Sequence, residues 1–241
     1  MREVFVKTED NINIAINHYD SGRDEVLIIA HGWYMCKDTH AFLRMSEDFF
    51  KSYDVITMDF RGHGKSSGWY TFTSNEHKDI KAVVKYAREK YSKIAILGFS
   101  LGGALAIIHA ATYKDINCLI TVSTPTDFDK IENLCWQPEA FITAFQQFDN
   151  RINRNIRLGS PFLYKIRPID IVQDISPTPI LFLAGGKGPT FHPWHAEKLH
   201  EKVKQCKSIE IFENDFHAEA LYLNSRKKFL DVCNDWLTLT A

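Results

Sequence analysis

Six short apolar runs, at 26–30, 55–58, 94–97, 118–122, 180–184 and 209–212, set the strongest limit on what this chain can fold into. They are rich in β-branched residues and lack a regular polar alternation, so they read as strands buried on both faces, the kind found in parallel sheets covered by helices. Stretches of helical period lie between them, at 75–91, after Ser100, at 193–204 and at 225–239. That alternation calls for right-handed strand-helix-strand crossovers with helices on both sides of the sheet. Two earlier segments, 4–7 and 12–19, behave differently: Ile12, Ile14 and Ile16 alternate with polar neighbours, as in an antiparallel pair with one solvated face. The expectation is an α/β chain with a mostly parallel eight-stranded sheet opened by an antiparallel hairpin. With 241 residues and 45% hydrophobic content it can fill one sizeable core, so a single domain over 1–241 is expected.

The third of the six runs leads directly into Gly98-Phe99-Ser100-Leu101-Gly102, and the helix-forming stretch Gly103 to Ala111 follows. Strand, tight turn and helix in that order hold a serine at the apex of a sharp bend with its Oγ presented as a nucleophile. The glycines have a steric reason, since neighbouring backbone comes too close to Gly98 and Gly102 for a Cβ.

The rhythm breaks once, over 128–176, where the sequence mixes aromatic and basic residues: Trp136, Phe141, Phe145, Phe148, Arg151, Arg154, Arg157, Phe162 and Tyr164. This insertion enters after the run at 118–122, at a carboxyl end of the sheet where such folds place ligands, so it is expected to form a small helical cap over the site. A net charge of -1 with both signs interleaved offers no basic face, and no nucleic-acid partner is expected. No run approaches the length of a membrane span and no signal-peptide core opens the chain, so a cytoplasmic protein is expected. The five cysteines, Cys36, Cys118, Cys135, Cys206 and Cys233, form no CxxC pair and read as reduced thiols. His192 and His195 lack a carboxylate partner at ligand spacing; neither a metal nor a cofactor is expected.

Three further motifs make the chain resemble the α/β-hydrolase superfamily along nearly its whole length, closest to its monoglyceride-lipase-like and serine-aminopeptidase-like branch. His31-Gly32-Trp33 ends the run at 26–30, Asp59-Phe60-Arg61-Gly62-His63-Gly64-Lys65-Ser66 follows the next, and Asn214-Asp215-Phe216-His217 follows the last. The resemblance implies an oxyanion hole built from the backbone N–H groups of Trp33 and Leu101. It makes the Asp59–Ser66 stretch a structural turn. It also puts the general base at His217, in the chain order serine, acid, histidine.

The acid departs from the family. Where members carry aspartate in a G-x-x-D turn after the seventh strand, this chain has Gly185-Gly186-Lys187-Gly188. Loss of the orienting carboxylate costs on the order of ten-thousandfold in turnover. Three arrangements stay open: the acid relocated to Asp127 at the end of the sixth strand; a Ser100–His217 dyad oriented by water, a backbone carbonyl or Asp215; or a site weakened by Gly188. The functional expectation is a serine hydrolase cleaving a small-molecule carboxylic ester through an acyl-enzyme. The alternatives are a thioesterase or amidase of the same fold, and a pseudo-hydrolase that binds a small acyl or aromatic ligand.

Overall fold

The computed structural model of the chain describes residues 1–128, 156–188, 191–204 and 206–240. Eight strands form one sheet: β1 (Arg2–Lys7), β2 (Asn13–Tyr19), β3 (Glu25–Ala30), β4 (Asp54–Met58), β5 (Lys93–Phe99), β6 (Cys118–Val122), β7 (Ile180–Gly185) and β8 (Lys207–Phe212). Their spatial order is β1-β2-β4-β3-β5-β6-β7-β8. β2 pairs antiparallel with both β1 and β4, and every remaining pairing is parallel. The chain steps from β3 outward to β4 and then crosses back to β5 on the other flank of β3. Loops leaving β3 and β5 therefore diverge, and the crevice between them is where an open parallel sheet receives a ligand.

The described helices are α1 (His40–Phe49), α2 (His77–Arg88), α3 (Leu101–Tyr113), α4 (Pro168–Ile171) with a 3-10 turn at Val172–Ile175, α5 (Trp194–Lys202), α6 (Ala220–Asn224) and α7 (Arg226–Thr240). Successive side chains of a strand point to opposite faces. Ile28 and Ile96 accordingly join a cluster with Val83, Leu105 and Leu199 on one side of the sheet. Leu27, Ile29 and Leu97 join Phe42, Tyr222 and Phe229 on the other. Two apolar faces need apolar residues at both odd and even positions, which is why the central runs carry no regular alternation. α3 is buried at every position from Leu101 to Ala110. A helix that is apolar all round belongs in such a place, and it gives the serine turn a rigid support.

The expected cap region is only partly described. Residues 129–155, with Trp136, Phe141, Phe145, Phe148, Arg151 and Arg154, lie outside the described residues. From Arg157 onward the chain is tied to the loop after β4: Arg157 N–H donates to the Gly62 carbonyl at 2.8 Å, Tyr70 N–H donates to the Arg157 carbonyl at 2.8 Å, and Leu158 bridges Tyr70. Phe162 and Tyr164 then point outward, 94% and 85% exposed. By 172 the chain is back in the body, because Val172 and Ile175 are fully buried in the cluster that holds α3. Among the described residues no helix is long and apolar enough to cross a membrane.

Candidate active site

Ser100 sits between the end of β5 and the first residue of α3, with φ 49° and ψ -108°, a backbone state that costs a non-glycine residue on the order of 1–3 kcal/mol. The surroundings hold it there. Its N–H donates to the Val122 carbonyl of β6 at 2.8 Å, and its own carbonyl accepts the Ala104 N–H at 3.1 Å. The glycines expected from the sequence are required by distance: a Cβ on Gly98 would stand 2.7 Å from the Gly102 carbonyl oxygen, and one on Gly102 2.3 Å from that of Ala30. At Gly103 a Cβ would stand 1.9 Å from the Thr124 side-chain Oγ1 and 3.0 Å from the Gly98 carbonyl oxygen. Ser100 itself remains 8% exposed.

The loop after β3 passes directly over this turn; a Cβ on Gly32 would lie 3.5 Å from that of Ser100. His31 is what orders the loop, a role the motif alone did not reveal. Phe60 N–H donates to His31 Nε2 at 3.2 Å, so the neutral ring carries its proton on Nδ1, and Nδ1 donates to the Gly32 carbonyl at 2.6 Å. Met35 N–H donates to the same carbonyl at 3.3 Å. The C=O of Gly32 and the N–H of Trp33 share one planar peptide and point opposite ways, so pinning the oxygen aims the amide. Burial, and then His63, push His31 down to about 3, which keeps it neutral in this work. Leu101 is the first residue of α3, where an amide has no carbonyl four residues back within the helix to bond and the helix dipole favours negative charge. The Asp59 turn braces the same loop from below: buried Asp59 accepts the Lys37 N–H at 2.6 Å and the Lys65 N–H at 2.9 Å. Cys36, in this loop, is buried with its thiol pushed up to about 11 by burial, so it is no rival nucleophile.

His217 lies on the loop after β8, which closes over the ends of β6 and β7. A Cβ on Gly185 would stand 1.6 Å from the Phe216 carbonyl oxygen, and Ala218 N–H donates to Ser123 Oγ at 3.0 Å. Ser100 and Ala218, the residue after His217, are thus each hydrogen-bonded to the carboxyl end of β6. The His217 ring packs on Phe191 at 5.3 Å between centroids, and Phe191 in turn meets the His195 ring edge-on at 5.2 Å. Its Nδ1 is sealed from solvent and has no hydrogen-bond partner among the described residues. Burial, and after it His195, push His217 down to about 4.

The structure does not bring Asp127 to His217. Asp127 is buried with Arg167 Nη1 at 3.3 Å, and Arg167 also holds Asp170 at 2.6 Å. Asp215 does not bond His217 Nδ1 either. Gly188 is buried, and a Cβ there would stand 2.6 Å from the Phe191 carbonyl oxygen. The turn is folded around glycine, so a carboxylate cannot be restored at 188 without moving backbone. His195 is buried with its Nδ1 accepting the Thr126 N–H at 3.1 Å. Among the described residues no group of three His, Cys, Asp or Glu side chains is arranged to hold a metal ion.

Residues 25–138 match the family model for the alpha/beta hydrolase fold. The chain is similar to the AB hydrolase superfamily protein YisY of Bacillus subtilis, 30% identical over 123 residues, which is 49% of this chain and 44% of that protein. It is also similar to the uncharacterized YqkD of the same organism, 26% identical over 236 residues, covering 87% of this chain and 72% of that one. The match to YisY therefore spans less than half of that protein's length. Among solved structures, the Pyrococcus furiosus esterase Pf2001 superposes with a TM-score of 0.81 at 22% identity, covering 99% of this chain and 91% of the other.

Proposed function

We propose that this chain, which has the α/β-hydrolase fold, is a serine hydrolase that cleaves a small carboxylic ester through an acyl-enzyme held on Ser100. The observation that carries the reading is the joint geometry at the β5 end: a strained Ser100 under a pinned Gly32–Trp33 peptide and on the first turn of a buried helix. Ser100 Oγ attacks the ester carbonyl while His217 accepts its proton. The tetrahedral oxyanion takes hydrogen bonds from the Trp33 and Leu101 amides, donors fixed before the charge develops and worth roughly 3 kcal/mol each. His217 then protonates the leaving alcohol, and water attacks the acyl-enzyme by the reverse sequence. The esterase name of the Pyrococcus neighbour supports an ester over a thioester or amide.

The orienting group differs from the usual triad. In this reading the site is a Ser100–His217 dyad whose imidazole is held by packing and by its backbone. A base without a carboxylate on Nδ1 is weak, so turnover is low but extends to acid pH. With His217 pushed down to about 4, the ring stays neutral through pH 5 and becomes protonated only as pH falls through that value. A profile of kcat/KM against pH is expected to lose half its activity near pH 4, not near the ordinary histidine value. An acid limb at pH 6 or above contradicts the dyad, because a carboxylate on Nδ1 raises the base. The relocated acid has its own test. Asp127→Asn is expected to change kcat less than about tenfold, whereas an Asp127 that reached Nδ1 in the working enzyme would cost on the order of ten-thousandfold.

A ligand-binding protein on the same fold is the second reading, favoured by the partnerless His217 Nδ1. A p-nitrophenyl ester assay of the wild-type chain separates the two. Turnover that is lost on Ser100 substitution supports the hydrolase, and binding without turnover supports the other.

A further inference from the structure

Among the residues other than glycine that hold left-handed backbone around this site are Ser100 at φ 49°, Ser123 at φ 49° and Ala218 at φ 51°. They are linked. Val122 accepts the Ser100 N–H on its carbonyl at 2.8 Å, and the next residue, Ser123, accepts the Ala218 N–H on its Oγ at 3.0 Å. Two consecutive residues at the end of β6 therefore hold the nucleophile on one side and the residue after the base on the other. Ser123 is in turn fixed to β7, its N–H donating to the Leu183 carbonyl at 2.7 Å, and it is 4% exposed. Strain of this kind persists only where surrounding contacts over-determine it, and it gathers at functional sites.

We propose that Ser123 is the positioning residue for His217, anchoring the base through the Ala218 amide where the usual triad anchors it through the ring. The proposal rests on the reading of Ser100 and His217 as nucleophile and base. Three facts point to Ser123. The His217 ring has no polar anchor at Nδ1. Among the described residues the hydroxyl is the acceptor that the Ala218 amide reaches, and Ala218 follows His217 directly and is itself buried. A Cβ at this positive φ carries a strain that glycine avoids, and the side chain placed there turns its Oγ to the Ala218 amide.

The positioning role separates from a merely structural one because turnover falls without stability in one variant and stability falls without turnover in the other. Ser123→Gly suits the left-handed backbone but deletes the acceptor. It is expected to fold with little change in Tm, to lose roughly ten- to hundredfold in kcat with KM within about twofold, and to exchange the Ala218 amide hydrogen faster. Ser123→Thr keeps the hydroxyl but sets a β-branched residue at positive φ. It is expected to lower Tm while keeping kcat within about threefold of wild type, because the anchor survives. Native kcat in Ser123→Gly overturns the proposal, as does equal loss of kcat in both variants. Hydrogen exchange at Ala218 reads the anchor without any substrate, so unchanged exchange in Ser123→Gly also overturns it. If the wild-type chain neither hydrolyses p-nitrophenyl butyrate nor is labelled at Ser100 by a fluorophosphonate, the functional reading itself has failed. A labelled, active wild type beside an unaffected Ser123→Gly removes only the positioning role.

Discussion

Ser100→Ala is expected to abolish ester hydrolysis while leaving the fold in place. Removing a serine nucleophile from a machinery of this type costs on the order of a million-fold in kcat, and what remains comes from the oxyanion donors and binding. For a dyad that starts weaker the expected loss is at least about a thousandfold, because the acyl-enzyme route is closed whatever orients the base. The substitution deletes one oxygen at a site that is 8% exposed and keeps the backbone conformation, so Tm is expected to move by no more than a few degrees. Steady-state hydrolysis of p-nitrophenyl butyrate beside a thermal melt gives both readings. A variant that keeps more than a tenth of wild-type turnover means that some other group carries the chemistry.

Gly185→Ala is expected to be the most damaging single-methyl change at the site. Its Cβ would stand 1.6 Å from the Phe216 carbonyl oxygen and 2.7 Å from that of Asp215, and both contacts are backbone, which cannot swing aside as a side chain does. The loop carrying His217 has to move outward, or β7 has to shift within the sheet. Either way a close-packed interior resists, and overpacking of this severity costs about 3 kcal/mol. For a chain of this length that lowers Tm by roughly 6–12 °C. Displacing the base by about 1 Å is expected to reduce kcat by about a hundredfold besides. Gly22→Ala serves as the comparison: it places a Cβ at φ 83° in open space, so only backbone strain of about 1 kcal/mol is expected, with normal turnover. If Gly185→Ala melts and turns over like wild type, the packing of the base-bearing loop on β7 is not as described.

The elements that were legible in the sequence are those with a periodic signature or a steric rule. The six strands β3 to β8 lie where the six apolar runs stand, and β1 and β2 lie on the two earlier segments at 4–7 and 12–19. The serine turn was legible because Gly98 and Gly102 answer to distances that any residue with a Cβ would violate. The short α4 and its 3-10 turn fell inside the expected insertion, since eight residues from Pro168 to Ile175 are too few to show a helical period, though Val172 and Ile175 belong to the core. Orientation was harder to read than position. Nothing in the local sequence around Asp127 tells that Arg167, forty residues on, takes its carboxylate. Likewise His31 looks like a motif letter until Phe60 fixes its tautomer. Positive φ at Ser123 and Ala218 left no trace either, because neither residue is the glycine that usually signals it.

In the proposed mechanism Ser100 becomes covalently acylated in the course of hydrolysis. Intact-protein mass spectrometry after treatment with a fluorophosphonate, followed by peptide mapping, tests it at one atom. A single adduct located on Ser100, absent from Ser100→Ala and blocked by prior unfolding, is the expected result. Folded wild-type protein that gains no mass, or gains it at a residue other than Ser100, contradicts the account.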